Sequence, residues 1–129
     1  MSQEIVSKVW HLAGLFGVVT PGLLIYEGGN VHYVTDEGEQ FGVKLSELQQ
    51  VKWPFLRMGM GFDAIINGKK YQFSFSKPNP TAPEMGDTNA EILLRAIGVG
   101  KFWEAIGTLS NLKTDKVTTK KWKELLTGH

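Results

Sequence analysis

The stretch Tyr71-Gln72-Phe73-Ser74-Phe75-Ser76 decides the class of fold: aromatic side chains stand at every second position with Gln and Ser between them. That period of two gives an extended chain one apolar face and one wet face, as in a strand of an antiparallel sheet. Upstream, Gln40 to Leu45 repeats the pattern with Phe41, Val43 and Leu45. Val51, Trp53 and Phe55 alternate too, but Pro54 has no N–H for a ladder, so this strand is expected at a sheet edge. Phe62 to Asn67, Phe16 to Thr20, Leu23 to Glu27 and Val31 to Thr35 bring the expected strands to seven.

The turns between them are written in Gly, Asn and Pro. Pro21-Gly22, Gly28-Gly29-Asn30, Asp36-Glu37-Gly38-Glu39 and Asn67-Gly68-Lys69 predict tight reversals and hence a meander of hairpins. Ser46 to Gln50 is too polar for a strand, and Ser46 with Gln49 resembles a capping box around one helical turn. After Ser76 the prolines Pro78, Pro80 and Pro83 predict a loop over 77–88, and the period then becomes helical. Ala90 to Ile97 forms one helical run behind an Asn89 cap. Val99, Phe102, Trp103, Ile106 and Leu109 recur at spacings of three and four, and this helix is expected to plug the barrel. A last helix, Thr118 to Leu126, offers Trp122, Leu125 and Leu126 for docking and ends at Gly128.

The expected architecture is therefore α+β, mainly β. It is a seven-stranded antiparallel barrel or sandwich with strands across about 15–76 and helices across about 89–111 and 118–126, all in a single domain over 1–129. Phe41, Val43, Trp53, Phe55, Tyr71, Phe73, Phe102, Trp103 and Ile106 are the expected core.

Composition bounds the function classes. The 129 residues contain no cysteine, which removes disulfides, thiolate nucleophiles and Cys-type zinc sites and fits a reducing, cytoplasmic setting. The N-terminal stretch to Gly17 is apolar in part and admits a helix, but Glu4, Lys8 and His11 interrupt it too early for a membrane span or a secretory signal. Net charge is +1, no argument for a nucleic-acid partner. The charge is unevenly placed, however. From Leu112 onward five lysines face Asp115 and Glu124, giving +3, so the first 111 residues, with nine basic and eleven acidic groups, carry −2.

Three runs together resemble the pleckstrin-homology-like superfold, in its GRAM and bacterial PH-like branch. They are Pro21-Gly22-Leu23-Leu24-Ile25-Tyr26, Phe41-Gly42-Val43-Lys44-Leu45-Ser46-Glu47-Leu48 and Lys70-Tyr71-Gln72-Phe73-Ser74-Phe75, followed by the helical Phe102-Trp103-Glu104-Ala105-Ile106. The resemblance covers about 15–111 and is one of pattern order. It implies a two-sheet barrel capped by a helix and used for binding, the ligand varying from phosphoinositide to protein among members. The lipid signature of spaced Lys and Arg should fall at Val18 to Glu27, where this chain has neither.

No residues form a catalytic set. His11, His32 and His129 lie on separate elements without metal-ligand spacing, and no serine sits in a nucleophile elbow. His32 with Asp36 comes nearest to a general-base pair, but the two flank a turn. The expectation is a non-enzymatic module without metal or cofactor that binds a protein or peptide segment, with self-association through a sheet edge as a further route. One alternative is peripheral binding to anionic lipid through the tail lysines Lys116, Lys120, Lys121 and Lys123 and a second basic patch of Lys52, Arg57, Lys69 and Lys70. Met58 and Met60 beside Arg57 would suit an adaptable contact surface. The other alternative is a small-ligand barrel or minor enzyme with a cavity lined by Trp53, Phe55 and Phe73.

Overall fold

A computed structural model describes residues 4–13, 18–55, 59–112 and 116–127. Seven antiparallel strands form one sheet: β1 (Ile5–Ala13), β2 (Val18–Glu27), β3 (Asn30–Thr35), β4 (Gly38–Lys44), β5 (Gln49–Lys52), β6 (Gly61–Ile66) and β7 (Lys69–Ser74). Their order is β4-β3-β2-β1-β7-β6-β5, a meander folded so that its first and last strands meet. The junction is narrow. β1 pairs with β2 along nine residues, from Ile5 opposite Tyr26 to Ala13 opposite Val18, but with β7 only at Trp10–Ser74 and His11–Phe73. Among the described residues β4 and β5 do not pair with each other, so the sheet is not closed. β5 lies at an edge, as Pro54 predicts. One turn of 3-10 helix, Leu45–Glu47, links β4 to β5, with Lys44 N–H donating to Glu47 Oε2 at 2.9 Å in place of the expected Ser46–Gln49 box.

The seven strands are not the seven expected. Where a helix was admissible, the chain forms β1, a strand in the middle of the sheet. Its Ile5 and Val9 pack on one side and its Val6 on the other, so a strand buried on both faces loses the period-two signature. In compensation, the two strands expected on either side of Pro21-Gly22 are one continuous strand, β2. No turn forms there. β3 pairs with β2 only from Leu23 onward, so Pro21 lies where β2 has no β3 neighbour, and its missing N–H leaves no gap in that ladder. Gly22 is required by contact: a Cβ there would come within 2.7 Å of Tyr33 Cε1.

Two cores result, one on each face. The inner one gathers Ile5, Val9, Leu24, Val31, Tyr33, Phe41, Val43, Phe62, Ile66, Phe73 and Phe75 from the curled sheet. It is closed by α3 (Lys116–Thr127), whose Trp122 and Leu126 are fully buried in it. Trp122 stacks on Phe75 at 6.2 Å, and its indole N–H donates to the buried Ser7 hydroxyl at 2.9 Å. The outer core lies on the other face, where Val6, Leu23, Ile25 and Val34 meet Leu94 of α1 (Asp87–Ile97) and Trp103 of α2 (Gly100–Ile106). The expected plug around Trp103 thus covers the outside of the sheet, and the plug is α3. Its apolar stripe is short: Trp122 and Leu126 are buried, and Leu125 packs against the same core. α1 begins after Gly86, with Asn89 in its first turn, and ends at Gly98 in the left-handed region at φ 103°.

Phe55, expected inside, is 92% exposed because β5 stops at Lys52 and the chain turns out of the ladder at Pro54. Trp53, Phe102 and Ile106 are half-buried, and the other expected core residues are buried.

Candidate functional site

The inner face stays open where β3 and β6 end. A cavity of about 350 Å³ lies there, bounded by His11, Thr20, Pro21, Tyr33, Thr35, Asp36, Glu37, Gln40, Lys69 and Tyr71. Three inward positions on β1, β7 and β3 make its floor. The His11 ring of β1 lies 4.9 Å from Tyr71 of β7 and 6.0 Å from Tyr33 of β3, and Phe41 lies behind at 5.1 Å from Tyr71. Each strand approaches the mouth with an aromatic side chain that also carries a polar group, so apolar core grades into hydrated rim.

The rim is built by two turns. Thr35, buried as β3 ends, accepts from Glu37 N at 3.1 Å and from Gln40 Nε2 at 3.2 Å, which fixes the β3–β4 turn. Asp36 Oδ1 accepts from Gly86 N at 3.4 Å and Asn89 Nδ2 at 3.2 Å, tying this turn to the start of α1. Opposite, the turn at Asn67-Gly68 uses left-handed φ values of 54° and 79° and delivers Lys69, whose ammonium sits 5.0 Å from the Tyr71 ring centroid. Tyr33 donates to Thr20 O at 3.4 Å. Among the described residues, the His11 ring nitrogens, the Tyr71 hydroxyl and the Glu37 carboxylate have no hydrogen-bonding partner and remain open to a ligand.

Burial tunes this floor. Desolvation, reinforced by the Lys69 charge, holds His11 below the usual imidazole value, so the ring is neutral at pH 7. Desolvation and the neighbouring Tyr71 push the Tyr33 phenol well above its usual range. The mouth thus combines neutral aromatic donors and acceptors with one ammonium and two carboxylates.

A second cavity, about 190 Å³, lies on the outer face between Lys8, Trp10 and Pro21-Gly22 and the stretch Glu84 to Asp87 with Thr108 to Ser110. Its polar groups are largely engaged: Trp10 Nε1 donates to Pro83 O at 2.8 Å, and Asp87 accepts from Leu109 N at 2.9 Å and Thr108 Oγ1 at 3.0 Å.

The residues singled out from sequence disperse. Lys69 joins the mouth, whereas Lys70 and Lys52 border a small cavity of about 100 Å³ on the outer side of β5 to β7 with Gln50 and Asp63. Met60 is half-buried and packs against the inner core. Arg57 and Met58 lie outside the described residues. Lys116, Lys120, Lys121 and Lys123 are all exposed on α3. The interior that Trp53, Phe55 and Phe73 were expected to line is filled, since Trp53 packs on Phe62 at 5.3 Å, Phe62 on Phe73 at 5.4 Å, and Phe55 points away. His32 meets Glu39, not Asp36: its Nδ1–H donates to Oε1 at 2.9 Å on the outer face. Gly42 makes room for this pair, as a Cβ there would lie 2.8 Å from His32 Nδ1. Among the described residues no three His, Asp or Glu side chains gather as metal ligands.

Sequence reasoning missed His11 because β1 was not read as a strand, and Tyr33, Thr35 and Glu37 because the groups they face across the mouth are distant in sequence. The available signal was that Tyr33 and Tyr71 sit at inward positions near strand ends, where a phenol reaches water.

No family model, no curated protein and no solved structure matches this chain.

Proposed function

We propose that the chain is a non-enzymatic binding module of pleckstrin-homology-like, GRAM-like type, and that its mouth receives a segment of another protein. The seven-stranded meander with a C-terminal helix packed into it supports the likeness. The observation that carries the binding reading is the mouth itself. A concave, aromatic-floored surface of about 350 Å³ presents Lys69 on one side and Asp36 and Glu37 on the other. Charges of both signs at a polar, partly apolar hollow complement a polypeptide, which offers amide donors and acceptors and charges of both signs. A polyanionic headgroup would meet the two carboxylates. The β3–β4 turn on which Asp36 and Glu37 stand is held by the Thr35 and Asp36 hydrogen bonds, so little ordering of that side is left for binding to impose.

The test is affinity capture from an extract of the native cell, with wild-type protein beside Lys69→Glu and Glu37→Lys, two exposed substitutions that leave the core intact. A protein held by the wild type and lost from both variants is the expected result. Equal capture by all three forms, or a captured partner whose binding moves no amide signal of the β3–β4 and β6–β7 turns, sinks the reading.

A further inference from the structure

β6 runs from the segment after β5 toward the Asn67-Gly68 turn, so its start lies at the opposite end from the mouth. Beside that start stands Phe55, 92% exposed, the most exposed large apolar side chain among the described residues. Two residues earlier, Trp53 is anchored against Phe62 and Phe75, so the backbone that presents Phe55 is braced on the core. The ring protrudes from a fixed base.

Its surroundings are basic. Lys123 of α3 reaches to 5.9 Å from the Trp53 ring centroid, which brings the outer side of α3 beside this loop. Lys116, Lys120 and Lys123 recur at spacings of four and three and therefore run as one exposed line along the helix. Lys52 is exposed at the end of β5, and Lys121 stands next to the line. On α3 four lysines stand with one carboxylate, Glu124, and Asp63 lies opposite Lys52 in the ladder. Glu4, Glu27 and Glu47 stand at the same end of the sheet, at the start of β1, the end of β2 and after β4.

A convex apolar tip flanked by ammonium groups complements a soft, negatively charged interface: the ring enters the boundary between headgroups and acyl chains while the lysines stay at headgroup level. A protein partner would have to supply a pocket shaped for the ring. We infer that this end of the molecule docks on an anionic membrane surface, with Phe55 inserted and Lys52, Lys116, Lys120 and Lys123 against the headgroups. Docking this way turns the mouth away from the bilayer and leaves it free for a second partner. The inference does not rest on the mouth's function. It keeps the tail lysines of the sequence-based lipid reading but replaces the hairpin-tip Lys69, which belongs to the mouth.

The test is co-sedimentation of the full chain with phosphatidylcholine vesicles with and without phosphatidylserine. Binding is expected only with phosphatidylserine and should weaken as salt is added. Phe55→Ser should lower the partition coefficient about tenfold or more. Lys120→Gln and Lys123→Gln should each lower it about fivefold. Lys69→Gln should leave it unchanged. All four positions are exposed, and far-UV circular dichroism with melting curves checks that the variants remain folded. The inference is overturned by an absence of phosphatidylserine-dependent binding at low salt, or by binding indifferent to Phe55 and the α3 lysines. It is equally overturned if polyglutamate is bound through Phe55 and these lysines while vesicles are not, since the surface then serves an acidic polypeptide.

Discussion

Replacing Trp122 by alanine removes the largest of the fully buried side chains and the one ring that α3 inserts between the inner ends of β1 and the Phe75 segment. Truncating a buried Trp to Ala costs about 3–5 kcal/mol in transferred surface and residual cavity. The Ser7 hydroxyl, itself fully buried, also loses the indole donor at 2.9 Å, which adds about 1 kcal/mol if no other partner is reached. Since a domain of this kind is stable by about 5–15 kcal/mol, the substitution removes a large share of the whole. A urea titration followed by far-UV circular dichroism should show the midpoint falling steeply with the slope retained, and the melting temperature dropping by roughly 10 °C or more. Two companion variants separate the contributions. Trp122→Phe keeps most of the volume and loses the hydrogen bond, so it should cost clearly less, and adding Ser7→Ala to it should cost little more. An unshifted midpoint for Trp122→Ala would refute the assignment of α3 as the plug, because no buried ring can be removed without a cavity.

Three further outcomes follow from particular contacts. His11 should titrate below its usual value of 6.5 in NMR, and Lys69→Gln should raise its midpoint. Because folding lowers this pKa, the neutral ring's contribution to stability is present above the usual value and is lost as pH falls through it toward the folded value, so an acid titration of the urea midpoint should steepen there and flatten in His11→Phe. Gly42→Ala should break the His32–Glu39 hydrogen bond and destabilise the protein by about 1–2 kcal/mol; a His32 ring signal unchanged from wild type would contradict the packing. Phe55→Ser should leave the urea midpoint within about 0.5 kcal/mol of wild type, whereas a core position would lose several times more.

The strands with one wet face, such as those carrying Phe41 with Val43 and Tyr71 with Phe73, were legible because alternation records the contrast between core and solvent. β1 and the middle of β2 carry no such contrast. Val6 is buried against the helices and Val9 against the inner core, and Leu23, Leu24 and Ile25 are all fully buried, so consecutive apolar residues conceal the period. The expected count of strands survived because two misreadings offset: a strand taken for a helical stretch and a single strand taken for two.

The candidate site was legible only in Lys69. His11 became part of it when β1 joined β7, and Asp36 and Glu37 when the β3–β4 turn came to face the β6–β7 turn across the mouth. Such neighbours are separated by tens of residues and leave no local pattern.

By itself, then, the sequence determined the antiparallel, mainly β character, the turns at Gly28-Gly29, Asp36-Glu37 and Asn67-Gly68, and three helices with apolar stripes. These follow from side-chain period and backbone preference, which act over a few residues. Which helix fills the sheet, which covers it and where the mouth opens were decided only by tertiary structure. Trp103 and Trp122 present similar stripes, and only the space left by the curled strands determines that Trp122 enters it and Trp103 stays outside.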